Sequence, residues 1–289
     1  MVNQHFLLNS GLKIPALGLG TWQIPKSLVG DLVLKALSIG YRHIDCAMDY
    51  ENEAEIGEAL QKSNVPREDI FITSKLWNTD HEPSLVRKAC EKTLKDLKIS
   101  YLDLYLIHFP FPEPNPDKTD QEPPLKFSLI DTWKALEKLV ELGMVKNIGV
   151  SNYTICRIQD ILDSSPKIKP AVNQVELHPY LPQNELVEYC KEQNIHVTAY
   201  SPLGSSRNSP VLLQDPVISE ISSRIQKSPA QILLSWGISR GTSVISRTTN
   251  PSRLLENITS FELSASDKAL VDKITTRVRF NDYYDVYNY

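Results

Sequence analysis

Short runs of apolar residues recur at regular intervals along the chain, and the stretches between them carry apolar residues every three or four positions. A run of four to seven residues, mostly apolar, fits a strand buried on both faces, whereas the wider spacing fits an amphipathic helix. The strand candidates, in order, are Ala16 to Gly20, His43 to Ala47, Ile70 to Leu76, Leu102 to His108, Lys146 to Ser151, Ala171 to Glu176, Ile195 to Tyr200 and Thr242 to Ser246. Between them, Ser27 to Gly40 places Leu28, Leu32, Ala36 and Ile39 on one side of a helix, and Ser128 to Gly143 does so with Leu129, Trp133, Leu136 and Val140. Each of these two helices closes on a glycine, as helix C-termini favour. Ahead of the first strand, Asn9, Ser10 and Gly11 predict a hairpin turn.

Eight strands alternating with helices predict an α/β chain folded as a (β/α)8 TIM barrel, a parallel eight-stranded barrel preceded by an N-terminal β-hairpin. An open dinucleotide-binding sheet is the competing arrangement. Its fingerprint is incomplete here, because Gly18-Leu19-Gly20-Thr21-Trp22 lacks the third glycine of G-x-G-x-x-G. With 289 residues, 41% of them hydrophobic, the chain can fill one such domain over residues 1–289. Six prolines between Phe109 and Phe127 make that segment neither helix nor inner strand, and it reads as a loop over the site.

A formal net charge of -4, without a basic block or stripe, argues against nucleic acid or an acidic membrane as partner. No stretch approaches the ~20 apolar residues of a membrane span, and Met1 to Ser10 does not read as a secretory leader, so a cytoplasmic protein is expected. Cys46, Cys90, Cys156 and Cys190 form no C-x-x-C pair, and His5, His81, His178 and His196 lack ligand spacing. Reduced thiols and no metal follow. The expected partner is a small molecule, bound by a monomer or weak homodimer.

Reactive groups of a barrel gather at the C-terminal ends of its strands. Asp45, Lys75 and His108 fall at or near three of those ends, with Tyr50 shortly after Asp45. Further ends carry Ser151 with Asn152, Gln174 with Glu176, Tyr200, and Ser246 with Arg247. A tyrosine, with a free pKa of about 10, is a poor acid until a neighbouring ammonium stabilises its phenolate. Lys75 can supply the ammonium, Asp45 can keep it charged and oriented, and His108 can hydrogen-bond a carbonyl oxygen. Taken singly, Asp45 with Lys75 reads better as a structural ion pair and His108 as a core histidine. Together the four suit carbonyl reduction, which needs a hydride donor that side chains do not provide. Two readings compete: a barrel aldolase forming a Schiff base at Lys75, and a noncatalytic module that keeps a nucleotide as a ligand or sensor.

The segment Gly40-Tyr41-Arg42-His43-Ile44-Asp45-Cys46-Ala47, followed by Tyr50, Asn52, Glu53 and Gly57, resembles the signature of the aldo-keto reductases. Ile72 to Trp77, Asp103 to His108, Ile148 to Asn152, Asn173 to Glu176 and Ala199 to Leu203 follow in that family's order. The resemblance implies a (β/α)8 barrel using NADPH (NADP+), with NADH as a weaker alternative, to reduce aldehydes and some ketones. It implies Tyr50 as general acid, completed by Asp45, Lys75 and His108. By the same resemblance Ser151, Asn152 and Gln174 hold the carboxamide and Tyr200 stacks on the nicotinamide. Gly20, Thr21, Asp45, Ser201, Leu203, Ser205 and Ser246 join the cofactor set. Arg247, Thr248, Thr249 and Arg253 would take the 2′-phosphate, and Glu256 with Asn257 the adenine. The family usually has Pro-Lys-Ser where this chain has Ser246-Arg247-Thr248, which retains the charge and alters the grip. Trp22, Trp77 and Phe109, which read as core on sequence alone, are implied substrate contacts alongside Tyr50 and His108. Arg279-Phe280-Asn281-Asp282 partly resembles the fungal xylose reductase branch, which implies that Asn281 touches a substrate hydroxyl. The tail Tyr283 to Tyr289 departs from that branch and reads equally as pocket wall and as mobile terminus.

Overall fold

Eight short parallel strands close on themselves in the computed structural model of the protein, which describes residues 4–115, 127–204, 211–259 and 261–281. An antiparallel hairpin of β1 (His5–Leu7) and β2 (Lys13–Pro15) comes first. The barrel strands are β3 (Leu17–Gly20), β4 (His43–Asp45), β5 (Phe71–Leu76), β6 (Leu104–Ile107), β7 (Ile148–Ser151), β8 (Val172–Glu176), β9 (His196–Tyr200) and β10 (Ser243–Ser246). Each pairs with the next in sequence, and β10 returns to β3 through Val244 opposite Leu17 and Ser246 opposite Leu19. All eight lie within or at the edges of the expected apolar runs.

The hairpin closes the N-terminal end of the barrel. Its Leu8 and Ile14 pack with Phe71, Leu104, Leu106, Ala171 and Val172 into one apolar plug. Asn9 donates to the Pro170 carbonyl at 2.9 Å and Ser10 to Asn147 Oδ1 at 2.5 Å, which pins the turn to the barrel. The opposite end is left to polar side chains.

Helices sheathe the barrel, and sequence dictates their limits. Ser128 caps the helix Leu129–Glu141 by accepting from the Asp131 amide, while the Asp131 carboxylate accepts from the Ser128 amide. Two orphan donors of the first turn are thereby satisfied. Trp133 and Leu136 of that helix are buried, as their spacing predicts. The helix Lys26–Ser38 departs from expectation: Val29, Leu32, Val33, Ala36 and Leu37 form the buried stripe, and Leu28 is exposed. At 100° per residue Leu28 lies at the margin of that stripe, because the helix packs between the barrel and the helices Glu53–Lys62 and Pro251–Ile258. Of the proline-rich segment, residues 109–115 run along the rim. There the Glu113 amide donates to the Asn78 carbonyl, and Asn78 Nδ2 donates to Glu113 Oε1, both at 3.0 Å. Its middle, Ser205, and the tyrosine-rich tail lie outside the described residues. Among the described residues no helix is long and apolar enough to cross a membrane.

Candidate active site

Strand geometry brings the four dispersed polar residues together. Asp45 ends β4, Lys75 lies one residue before the end of β5, His108 directly follows β6, and Tyr50 ends the single turn Met48–Tyr50 after β4. The Lys75 ammonium has three protons and gives each an acceptor: Asp45 Oδ1 at 2.6 Å, the Cys46 carbonyl at 2.8 Å and the Tyr50 hydroxyl at 3.1 Å. Lys75 is only 1% exposed. A buried ion pair costs desolvation unless its remaining valences are filled, and here they are. Gln174 Nε2 donates to Asp45 Oδ2 at 2.7 Å, and the Thr21 amide and hydroxyl both reach the Asp45 carbonyl.

His108 packs edge-on to Tyr50 and Trp77 and stacks on Phe109, with ring centroids 4.9 to 5.7 Å away. Burial, reinforced by the Lys75 charge and by His81, holds its pKa well below the ordinary histidine value. The ring is therefore neutral near pH 7, and a neutral imidazole can donate one hydrogen bond without carrying charge into the site.

These groups open into a cavity of about 570 Å³ at the C-terminal end of the barrel. One part is walled by Trp22, Trp77 and Phe109 beside Tyr50 and His108; another is lined by Arg247, Thr248, Thr249 and Arg253. Gly20, Ser151, Asn152, Gln174 and Tyr200 line it too, and the last four are joined by hydrogen bonds. Ser151 donates to the Gln174 carbonyl at 2.9 Å, Asn152 to the His108 carbonyl at 3.0 Å, and Tyr200 to Asn152 Oδ1 at 2.8 Å.

Of the remaining candidates, Ser201, Leu203, Ser246 and Asn281 also line the cavity. Thr21 and Lys75 lie beneath it as supports. Glu256 and Asn257 do not line it; the Glu256 carboxylate accepts from Ser228 and Asn257 is buried. Sequence reasoning did not name Asp49, Pro202, Gly204, Leu213 or Ile245, which also contribute to the wall. Asp49 had a signal, since it precedes Tyr50 on the same turn. Burial, with Glu51 and Glu113 nearby, raises its pKa despite the opposing Lys75 charge.

The profile described as Aldo/keto reductase family matches residues 16–276. The aldo-keto reductase family 1 member A1 of Sus scrofa is 45% identical, over 95% of this chain and 90% of its own. Its namesake in Gallus gallus is 48% identical, over 91% of this chain and 85% of its own. Among solved structures, the aldose reductase from Schistosoma japonicum superposes with a TM-score of 0.90 at 43% identity, covering 99% of this chain and 97% of that one. With the closed barrel and its polar rim in place, the chain belongs to the aldo/keto reductase family and is an NADP-dependent oxidoreductase.

Proposed function

We propose that the chain reduces aldehydes and some ketones to alcohols with NADPH, Tyr50 acting as the general acid. The observation that carries this reading is the unbroken hydrogen-bonded path from Gln174 through Asp45 and Lys75 to the Tyr50 hydroxyl at the cavity wall. The residues present fit the cofactor. Two guanidinium groups and two threonine hydroxyls at one part of the wall suit a phosphate monoester, and the amide and hydroxyl groups of Ser151, Asn152 and Gln174 with the Tyr200 ring suit the nicotinamide. When bound, NADPH supplies the hydride that no side chain can.

The chain's own groups handle the proton. Tyr50 gives its hydroxyl proton to the carbonyl oxygen, and the phenolate left behind is stabilised by the ammonium that already donates to that oxygen. Asp45, with both carboxylate oxygens occupied, holds the Lys75 side chain aimed at the Tyr50 hydroxyl. His108, neutral, donates to the carbonyl oxygen and fixes which face is presented. Trp22, Trp77 and Phe109 exclude water around it.

The Schiff-base reading loses support here, because Lys75 is buried and spends every ammonium proton on protein acceptors. Tyr50→Phe tests the proposal: NADPH oxidation with a panel of aldehydes should fall by at least about a thousandfold, within reach of general-acid catalysis, while NADPH still binds by fluorescence titration. Undiminished turnover sinks the assignment. Tight NADPH binding by the unaltered chain, without oxidation on any carbonyl, would favour the sensor.

A further inference from the structure

The C-terminal segment reaches the cavity by way of a buried carboxylate that the proton path leaves unused. Glu176 ends β8 and is fully buried. Its Oε1 accepts from the Phe280 amide at 2.7 Å and from His178 Nε2 at 2.9 Å. Its Oε2 accepts from the Asn281 amide at 2.8 Å and from Asn281 Nδ2 at 3.0 Å. Burial by itself would raise the pKa of this carboxyl, but its hydrogen bonds to His178, Phe280 and Asn281 hold it below the ordinary value.

Residues 278–281 belong to neither helix nor strand, so their amides depend on such acceptors. The Val278 amide finds the Tyr180 carbonyl at 3.1 Å, and the next two bonds go to Glu176. The segment is fastened on a second side as well. Asn281 Nδ2 also reaches Ser201 Oγ at 3.2 Å, and a Cβ placed on Gly204 would stand 3.1 Å from the Phe280 ring. Ser201, Gly204 and Asn281 all line the cavity.

We infer that Glu176 is a positioning residue that fixes the cavity wall formed by Asn281 and couples it to the segment following Tyr200, so that substrate affinity depends on it. The inference rests on the reductase reading of the cavity. Glu176 gives its bonds to the C-terminal segment and His178, while the Tyr50 path runs through Lys75, Asp45 and Gln174. Loss of the clamp therefore loosens the wall and leaves proton transfer in place. A ligand that settles against residues 201–204 is felt at Asn281 through Ser201 and Phe280, and the effect is reciprocal.

Glu176→Gln tests this, because an amide group replaces one acceptor oxygen and turns N–H groups towards donors. With NADPH and a neutral aldehyde, KM for the aldehyde should rise about tenfold, the scale of one lost charge-assisted hydrogen bond. On the same reasoning kcat should change by less than about threefold, and its pH profile should not move. Hydrogen exchange should show the Phe280 and Asn281 amides losing protection while those of β5 and β6 keep theirs. Glu176→Asp, which retains the charge, should recover part of the affinity. Phe280→Ala loosens the same segment with Glu176 intact, and it should raise KM even if the Gln variant fails to fold. A fall in kcat at unchanged KM, or wild-type constants with protection intact, overturns the positioning role. Absence of turnover by the unaltered chain would instead overturn the reductase reading, and the two failures are distinguishable.

Discussion

At the scale of single residues, cofactor choice should respond to charge in a graded way. Arg247 and Arg253 line one part of the cavity with Thr248 and Thr249, and a charge-assisted bond to phosphate contributes roughly 1.5 to 3 kcal/mol. Arg247→Ala should therefore raise KM for NADPH about tenfold or more and leave KM for NADH nearly unchanged. Parallel titration with both nucleotides checks it, and an equal loss for both would remove Arg247 from the phosphate grip. Much of the candidate site was legible in sequence, since Asp45, Lys75 and His108 interrupt apolar strand ends where a core residue would be expected. What sequence concealed was partnership. Nothing in the spacing of Gln174 and Asp45 announces a 2.7 Å bond across 129 positions, and Glu176 read as one more polar strand end until Phe280 and Asn281 were seen to converge on it.

Elements meet closely where the helix Glu53–Lys62 crosses the end of the helix Pro83–Asp96. A Cβ at Gly57 would lie 2.2 Å from the Asp96 carbonyl oxygen and 2.8 Å from Leu97 C, both backbone atoms that cannot swing aside. Gly57→Ala should accordingly destabilise the fold by about 1 to 3 kcal/mol, the usual cost of overpacking, despite alanine's better helix propensity. Chemical denaturation measures it; a stabilised variant would show that the crossing yields. Below this crossing the Glu53 carboxylate is buried and accepts from Ser74 at 2.5 Å and Thr93 at 3.1 Å. The alternation of strands and helices was legible because barrel strands are buried on both faces and so form continuous apolar runs. The face of a helix that packs two neighbours was less so, as Leu28 shows. A stripe widened by a second contact shifts its centre away from the row that spacing alone suggests.

For the whole molecule, buried histidines set the response to acid. Burial lowers His43 to about 4 and both His81 and His196 to about 3, and His108 lies well below its ordinary value. Unfolding exposes all four, and free histidine takes up a proton near pH 6.5. Between pH 6.5 and about 4 the unfolded chain thus binds more protons, and stability falls as pH falls, by up to about 1.4 kcal/mol per unit for each group. Glu53, raised by burial to about 7, acts in the opposite sense between pH 7 and its unfolded value. Four histidines outweigh this one carboxyl. The melting temperature at pH 5 should lie clearly below that at pH 7.5 in calorimetry, and an unchanged or higher value would refute this accounting.

The pairing of β10 with β3 also governs when the molecule becomes itself. Val244 must meet Leu17, 227 positions away by difference of their numbers, so barrel closure is the strand pairing of longest range among the described residues and is reached late on the folding route. Gly20 and Ser246, at the ends of those two strands, both line the cavity. A chain still emerging from the ribosome has no complete binding site to fill, and nucleotide can stabilise the molecule only after its last strand has been synthesised and docked.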